Sequence, residues 1–263
     1  MLLSDGCPNT VEDLRVYESG ILDVAHAEGI DLKTKLGLAA EEVSEDVLDF
    51  LVVEGRGTDP FAASSSSFQA GDRRQRGVGD VVVTRQLQRW HALHSVALVY
   101  RDAFHNQLNA RYEAQYRDYR RLSQEARDQT TKFGIGVVGS PVARPQRAMV
   151  TQTSASVSGA TYFIKVSWVD AAGREGAASE VTALDVPDGQ KPVISTETPP
   201  AGVVGYNVFV GLTETSLAKQ NTAPIATGDS YSTTAGDLLG GASPGTGQEP
   251  DFYVTGARLL RRG

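Results

Sequence analysis

Phe133–Gly134–Ile135–Gly136–Val137–Val138–Gly139 is the stretch on which the fold turns. Upstream of it, residues 84–132 run without a single Gly or Pro. Downstream, Pro141 and Pro145 are followed by short apolar runs set between Gly, Pro, Ser and Thr clusters. Helical periodicity on one side and strand alternation on the other separate a helical half from a β half, instead of weaving both into one sheet. The fold class expected is therefore α+β in two domains, each with its own core. An all-α bundle with long helices spans 1–138, a β-sandwich spans 139–237, and an extended C-terminal arm spans 238–263. The letters from Gly134 to Gly139 match a dinucleotide fingerprint. They follow a helix, not a strand, and open no helix, so the context that lets such a loop hold a pyrophosphate is missing.

Toward the N-terminus, Thr10 and Asp13 have the spacing of a capping box, with Asp in place of Glu. Leu14, Tyr17, Ile21, Leu22 and Ala25 continue at helical spacing to Glu28, where Gly29 predicts a left-handed stop. Asp31 is placed to cap a second helix. Its apolar stripe is Leu32, Leu36, Ala39, Ala40, Val43, Val47, Leu48 and Leu51, and Glu41, Glu42, Glu45, Asp46 and Asp49 fall on other faces. Residues 55–80 read as a long loop carrying Arg73, Arg74 and Arg76. These arginines are either solvated or contacts to a neighbouring subunit or a nucleic-acid phosphate.

Helix resumes near Thr84 through Leu87, Trp90, Leu93, Ala97 and Leu98. Unbroken to residue 132 it would be about 70 Å long. A break near Asn106 and Asn109 is more economical, because Asn caps helices better than it extends them. The second helix of the pair carries Tyr112, Tyr116 and Tyr119 as one stripe. That stripe reads as core with hydroxyls reaching the surface, or as an assembly interface.

In the β half, Thr161 to Asp170 alternate, with Tyr162, Ile164, Val166 and Trp168 on one face. A hairpin turn at 171–176 leads to a return strand at 180–184. Further strands fall at 192–195, 205–210, 224–226 and 231–234, and 151–158 reads as polar and turn-rich. Six or seven strands in so short a span suit a sandwich. Beyond the Gly- and Pro-rich stretch 238–250 lie Leu259, Leu260, Arg261 and Arg262, which either pack back on the parent domain or dock on a partner.

Composition narrows the function. Of 263 residues 40% are hydrophobic and 22% charged, with a net charge of −7, which argues against binding nucleic acid over the whole surface. The charge is uneven: residues 1–54 hold 13 acids and 3 bases, while 55–133 hold 13 bases and 8 acids. An acidic front and a basic rear are either two solvated faces or faces that meet head to tail between copies. Cys7 stands alone, which fits assembly in a reducing cytoplasm. No apolar run has membrane-spanning length, and Met1–Leu2–Leu3–Ser4–Asp5 has neither the basic region nor the apolar core of a secretion signal. His91 and His94 share a helix face without the further ligands of a zinc site. There is no Walker loop, no Gly-x-Ser-x-Gly elbow and no paired-carboxylate pattern. The expectation is a protein that is no enzyme and uses no cofactor or metal.

Three stretches of the helical half resemble the head–tail connector (adaptor) proteins of tailed bacteriophages. They are Ile30–Asp31–Leu32–Lys33–Thr34–Lys35–Leu36–Gly37–Leu38–Ala39, Val99–Tyr100–Arg101–Asp102–Ala103–Phe104 and Asn109–Ala110–Arg111–Tyr112, with Ala110 departing from the Asp common there. The Gly134–Ile135–Gly136 run also fits. The β half is similar to fibronectin type III or immunoglobulin-like modules through Ala172–Gly173–Arg174–Glu175–Gly176–Ala177–Ala178–Ser179 and Gly205–Tyr206–Asn207–Val208–Phe209–Val210–Gly211. The resemblance implies a virion neck protein, assembled in the host cytoplasm. Its copies would form a ring, commonly of about a dozen, under the portal protein, and would carry the next neck or tail protein. Packaged DNA would pass through the channel without sequence-specific binding, and no membrane is involved. Tyr112, Tyr116, Tyr119, Arg73, Arg74, Arg76, Leu259, Leu260, Arg261 and Arg262 are the candidate assembly residues. The competing expectation is another phage tail or baseplate protein whose β module binds host-surface glycan through Trp168, Tyr206 or Tyr253.

Overall fold

The computed structural model describes residues 1–56, 76–107, 110–233 and 238–256. The protein is α+β, with the long helices in the N-terminal half and antiparallel sheets dominating the C-terminal half. The helices are α1 (Val11–Tyr17), α2 (Ile21–Glu28), α3 (Leu32–Arg56), α4 (Arg85–Gln107) and α5 (Glu113–Phe133). The strands are β1 (Ile135–Val137), β2 (Met149–Ser154), β3 (Ala160–Asp170), β4 (Thr182–Val186), β5 (Gln190–Ser195), β6 (Val203–Gly211), β7 (Ala218–Lys219), β8 (Ile225–Ala226), β9 (Tyr231–Ser232) and β10 (Phe252–Val254). The chain forms two compact units. One comprises residues 6–139 with 250–256, the other Met1–Asp5 with Ser140–Glu249.

In the helical unit the N-terminal signals act as their chemistry dictates. The Asp13 amide donates to Thr10 Oγ1 at 3.4 Å, and the Thr10 amide donates to Asp13 Oδ2 at 2.7 Å. One helix was expected from here to Glu28, but the structure breaks it at residues 18–20. The Glu18 carboxylate turns back onto the Gly20 amide at 3.1 Å, and Gly20 is a costly residue inside a helix. Gly29 sits at φ 65° and its amide reaches the carbonyls of Ala25 and His26, the left-handed stop foreseen. The Lys33 amide and Thr34 hydroxyl both donate to the Asp31 carboxylate, capping α3. The buried stripe of α3 is Leu32, Leu36, Ala39, Val43, Val47 and Leu51. It is narrower than expected, because Leu48, 40% exposed, steps off that face and Ala40 stays half-buried.

α4 is the central helix of this unit, packed by α1, α2, α3 and α5. From Trp90 to Tyr100 every residue but His94 is buried, so this stretch of the helix has no solvent face. The sequence leaves a hairpin and a kink open for these two helices; α4 ends at Gln107 and α5, preceded by a 3-10 turn at Ala110–Tyr112, packs against α4 as a hairpin. Lys35 of α3 pairs with Asp102 of α4.

After α5, β1 pairs antiparallel with β10, Ile135 opposite Val254 and Val137 opposite Phe252. Val81 bridges Val137 from the other side, and the Val82 amide donates to Gly136 at 2.9 Å. Residues 250–256, part of the stretch read from sequence as an arm, therefore belong to the helical unit, while 238–249 belong to the β unit. Gly136 is required by this pairing: a Cβ there would lie 2.6 Å from Pro250 Cγ and 3.2 Å from Thr84 Cγ2.

In the β unit one sheet has the order β2-β5-β9 and the other β4-β3-β6-β7, with β8 also on β6, all pairs antiparallel. Residues 151–158 were expected to be turn-rich, yet 151–154 lie within β2, paired along its length with β5. The polar Thr–Gln–Thr–Ser run fits because it is an edge strand exposed along most of its length. The hairpin after β3 is held by the Asp170 carboxylate, which accepts the Ala172 and Arg174 amides at 2.9 Å each and the Arg174 Nε–H at 2.8 Å. One core draws Ile164, Val166, Trp168, Tyr206, Val208 and Val210 from one sheet and Ile194 from the other. The first residues join this unit through Asp5, whose carboxylate accepts the Arg144 amide at 2.9 Å.

Candidate functional site

A cluster of polar side chains in the helical unit lines a cleft of about 360 Å³ between α3, α4 and α5. Its centre is His94, the one residue of the central stretch of α4 not fully buried. His94 Nε2 lies 2.6 Å from Glu42 Oε2 on α3, and Nδ1 lies 3.3 Å from Ser123 Oγ on α5. In the neutral ring Nε2–H donates to the carboxylate, which leaves Nδ1 to accept from the hydroxyl. One turn along, Arg127 of α5 pairs with Asp46 of α3 at 2.9 Å. Arg101 and Arg120 also face the cleft, and Arg120 forms no ion pair with any residue whose side chain is described.

Glu42, His94 and Ser123 have the connectivity of an orienting acid, a base and a nucleophile. The setting differs from that of an acyl-transfer site. Ser123 is only 5% exposed and lies inside α5, where backbone N–H groups are spent on the helix and offer no oxyanion donors. What the cluster does physically is tie three helices together by side chains that each span an interhelical gap.

One turn earlier on α4, His91 lies wholly inside the unit. Asn9 Nδ2 donates to its Nδ1 at 2.8 Å and to the Gln88 carbonyl at 2.7 Å, and His91 Nε2–H donates to the Leu36 carbonyl at 3.1 Å. Burial pushes the imidazole down to about 4, against a smaller opposing effect of the bond to Leu36. His91 is thus a neutral core residue joining the N-terminal segment, α3 and α4.

Tyr112, Tyr116 and Tyr119 line up along α4. Tyr112 is buried in the turn before α5, Tyr119 stacks on Tyr100 at 5.5 Å between centroids and 7° between planes, and Tyr116 stacks on Phe104 at 6.4 Å. The Tyr119 hydroxyl lies 2.9 Å from Glu18 Oε2 and 3.1 Å from the Tyr17 carbonyl, so it closes the break between α1 and α2. Burial, aided by the Glu18 carboxylate, pushes Tyr100 up to about 12 and Tyr119 higher still. Arg76 places its guanidinium 4.3 Å from the centre of the Phe252 ring, on the strand that pairs with β1. Arg73, Arg74, Leu259, Leu260, Arg261 and Arg262 lie outside the described residues.

The ties through His91 and His94 were not anticipated from sequence. Their partners are 29 to 82 residues away, and the available signal was two histidines and a serine on otherwise apolar helix faces. Among the described residues no group of three or more His, Cys, Asp or Glu is placed to hold a metal ion, and no helix is long and apolar enough to cross a membrane. No protein-family model matches this chain, and no curated protein matches it.

Proposed function

We propose that this protein is a structural virion component, a head–tail connector whose copies form a ring under the portal of a tailed bacteriophage and continue the DNA channel toward the tail. What supports it most is the charge layout of the helical unit. On α3, Glu41, Glu45 and Asp49 form an exposed row at four-residue spacing. None of the three pairs with a residue whose side chain is described, whereas the neighbouring Glu42 and Asp46 are taken up by His94 and Arg127. A row of exposed carboxylates repels phosphate, as a channel wall must if DNA is to slide past it. On α5, Arg117 and Arg121 are neutralised within the helix by Glu113, Asp118 and Glu125, which leaves a wall stiffened by its own ion pairs.

The β unit, in this reading, is a fibronectin type III or immunoglobulin-like sandwich that braces neighbours or decorates the neck. Its β4-β3-β6-β7 order and the edge-on contact of Trp168 with Tyr206, centroids 6.2 Å apart, are compatible with that architecture. Of the three aromatics of the glycan-binding alternative, Trp168 and Tyr206 are 1% and 0% exposed, while Tyr253 is 55% exposed but belongs to the helical unit and not to the β unit. The test is electron microscopy and native mass spectrometry of the purified protein, alone and with a portal. A closed ring of about a dozen copies around a channel is expected. A trimer, or a monomer that binds glycan, would refute the proposal.

A further inference from the structure

The cleft between α3, α4 and α5 measures about 360 Å³, at the small end of the range for ligand pockets. Its charged lining is Glu42, Asp46, His94, Arg101, Arg120 and Arg127. Both acids are already taken: Glu42 accepts from His94 at 2.6 Å, and Asp46 accepts from Arg127 at 2.9 Å. Two guanidiniums remain. Arg101 Nε stands 3.7 Å from Asp102, beyond hydrogen-bond distance, and that carboxylate is bonded to Lys35. Arg120 meets no acid among the side chains described. Beneath them Trp90, Ala97 and Leu98 give the cleft a buried apolar floor, a setting in which a charge-assisted hydrogen bond is stronger than in water.

Two positive charges on facing helices, one from α4 and one from α5, match the nearly two negative charges that a phosphate monoester carries at neutral pH. The planar guanidinium fork fits the spacing of phosphate oxygens. We propose that this cleft binds the phosphate group of a small molecule, held by Arg101 and Arg120. Tyr116 and Gln124 line the same cleft and add a hydroxyl and an amide as neutral donors. A carboxylate fits less well, because its single charge leaves one guanidinium unanswered. The size of the cleft favours a free phosphate or a monoester over the backbone of a duplex, whose phosphates are flanked by sugars on both sides. Salt weakens the contact by screening both arginines.

The experiment titrates inorganic phosphate into the full chain by calorimetry in low salt, at protein concentrations where light scattering reports a monomer. The outcome is thus independent of ring formation. One saturable site per chain is expected. The ring resonances of His94 should move over the same titration, while those of the buried His91 stay in place. Arg101→Gln and Arg120→Gln should each weaken binding about tenfold or more, the loss that goes with one charge-assisted hydrogen bond. Arg120 is exposed and Arg101 half-buried, so both variants should keep the native circular dichroism. Arg117→Gln is the control: it removes the same charge from α5 at a residue that pairs with Glu113 and lies outside the cleft, and it should leave the affinity unchanged. Sulfate should compete, and acetate should not. No saturable binding, or an equal loss in Arg117→Gln, would overturn the proposal. So would binding that leaves the His94 resonances unmoved, which would put the phosphate elsewhere. A duplex oligonucleotide that displaces phosphate from the cleft would assign the site to the DNA backbone and overturn the small-molecule reading.

Discussion

Acidifying the protein should expose the cost of keeping His91 neutral. In the unfolded chain an imidazole titrates near 6.5, while in the helical unit burial holds His91 down to about 4. Below pH 6.5 the unfolded state therefore binds a proton that the folded state refuses. The stability His91 lends is complete above that pH, falls as pH drops through the window, and stops falling only below about 4. Between pH 7.5 and pH 5 the loss amounts to about 2 kcal/mol, from roughly 1.4 kcal/mol per pH unit over the lower part of the window. His91→Gln removes the titration but keeps a side chain that can bond to Asn9. The stability gap between the native protein and this variant, from urea unfolding of each, should narrow by about 2 kcal/mol from pH 7.5 to pH 5. In the native protein the His91 ring resonances should stay in the neutral form at pH 5. A gap that does not change with pH, or a ring that titrates near 6.5, would refute the reasoning and place His91 in contact with water.

Gly136→Ala should cost about 1–3 kcal/mol in chemical unfolding, because the added methyl meets Pro250 Cγ at 2.6 Å. Ending the chain at Glu249 should be far more damaging than ending it at Gly256. It strips β10 from β1 and uncovers Ile135 and Val137, a loss on the order of 3–5 kcal/mol that calorimetry would register as a lowered transition. Tyr119→Phe should cost about 1–1.5 kcal/mol by removing the hydroxyl that bonds to Glu18 and Tyr17, with near-unchanged circular dichroism. In alkaline titration followed by tyrosinate absorbance, Tyr100 should ionise near 12 and Tyr119 later. The stability this represents is intact below pH 10 and lost as pH rises above it.

Much of the local structure was legible residue by residue. The Thr10–Asp13 box, the Gly29 stop, the Asp31 cap and the stripe of α3 depend on neighbours within four residues, so their chemistry is written into the local order of the chain. Trp168 and Tyr206 could be assigned to the core because strand alternation puts them on the face with Ile164, Val166 and Val208. The break at residues 18–20 was harder. Apolar spacing runs straight across it, and the Tyr119 hydroxyl that stabilises the broken form comes from another helix. β2 was missed because an edge strand needs no apolar face, and a polar run of Thr and Gln looks the same in a turn.

By itself the sequence determined the division into helical and β halves, most helix ends and the separate cores, since periodicity and capping are short-range. Only the tertiary structure decided which parts of the chain share a unit. Met1–Asp5 joins the β unit across more than a hundred residues, and β10 returns to β1 from a similar distance. Asn9 meets His91, and Glu42, His94 and Ser123 meet one another, for the same reason. Such pairings follow from which buried polar groups and strand edges must find partners once the chain is compact, and no local pattern records that choice.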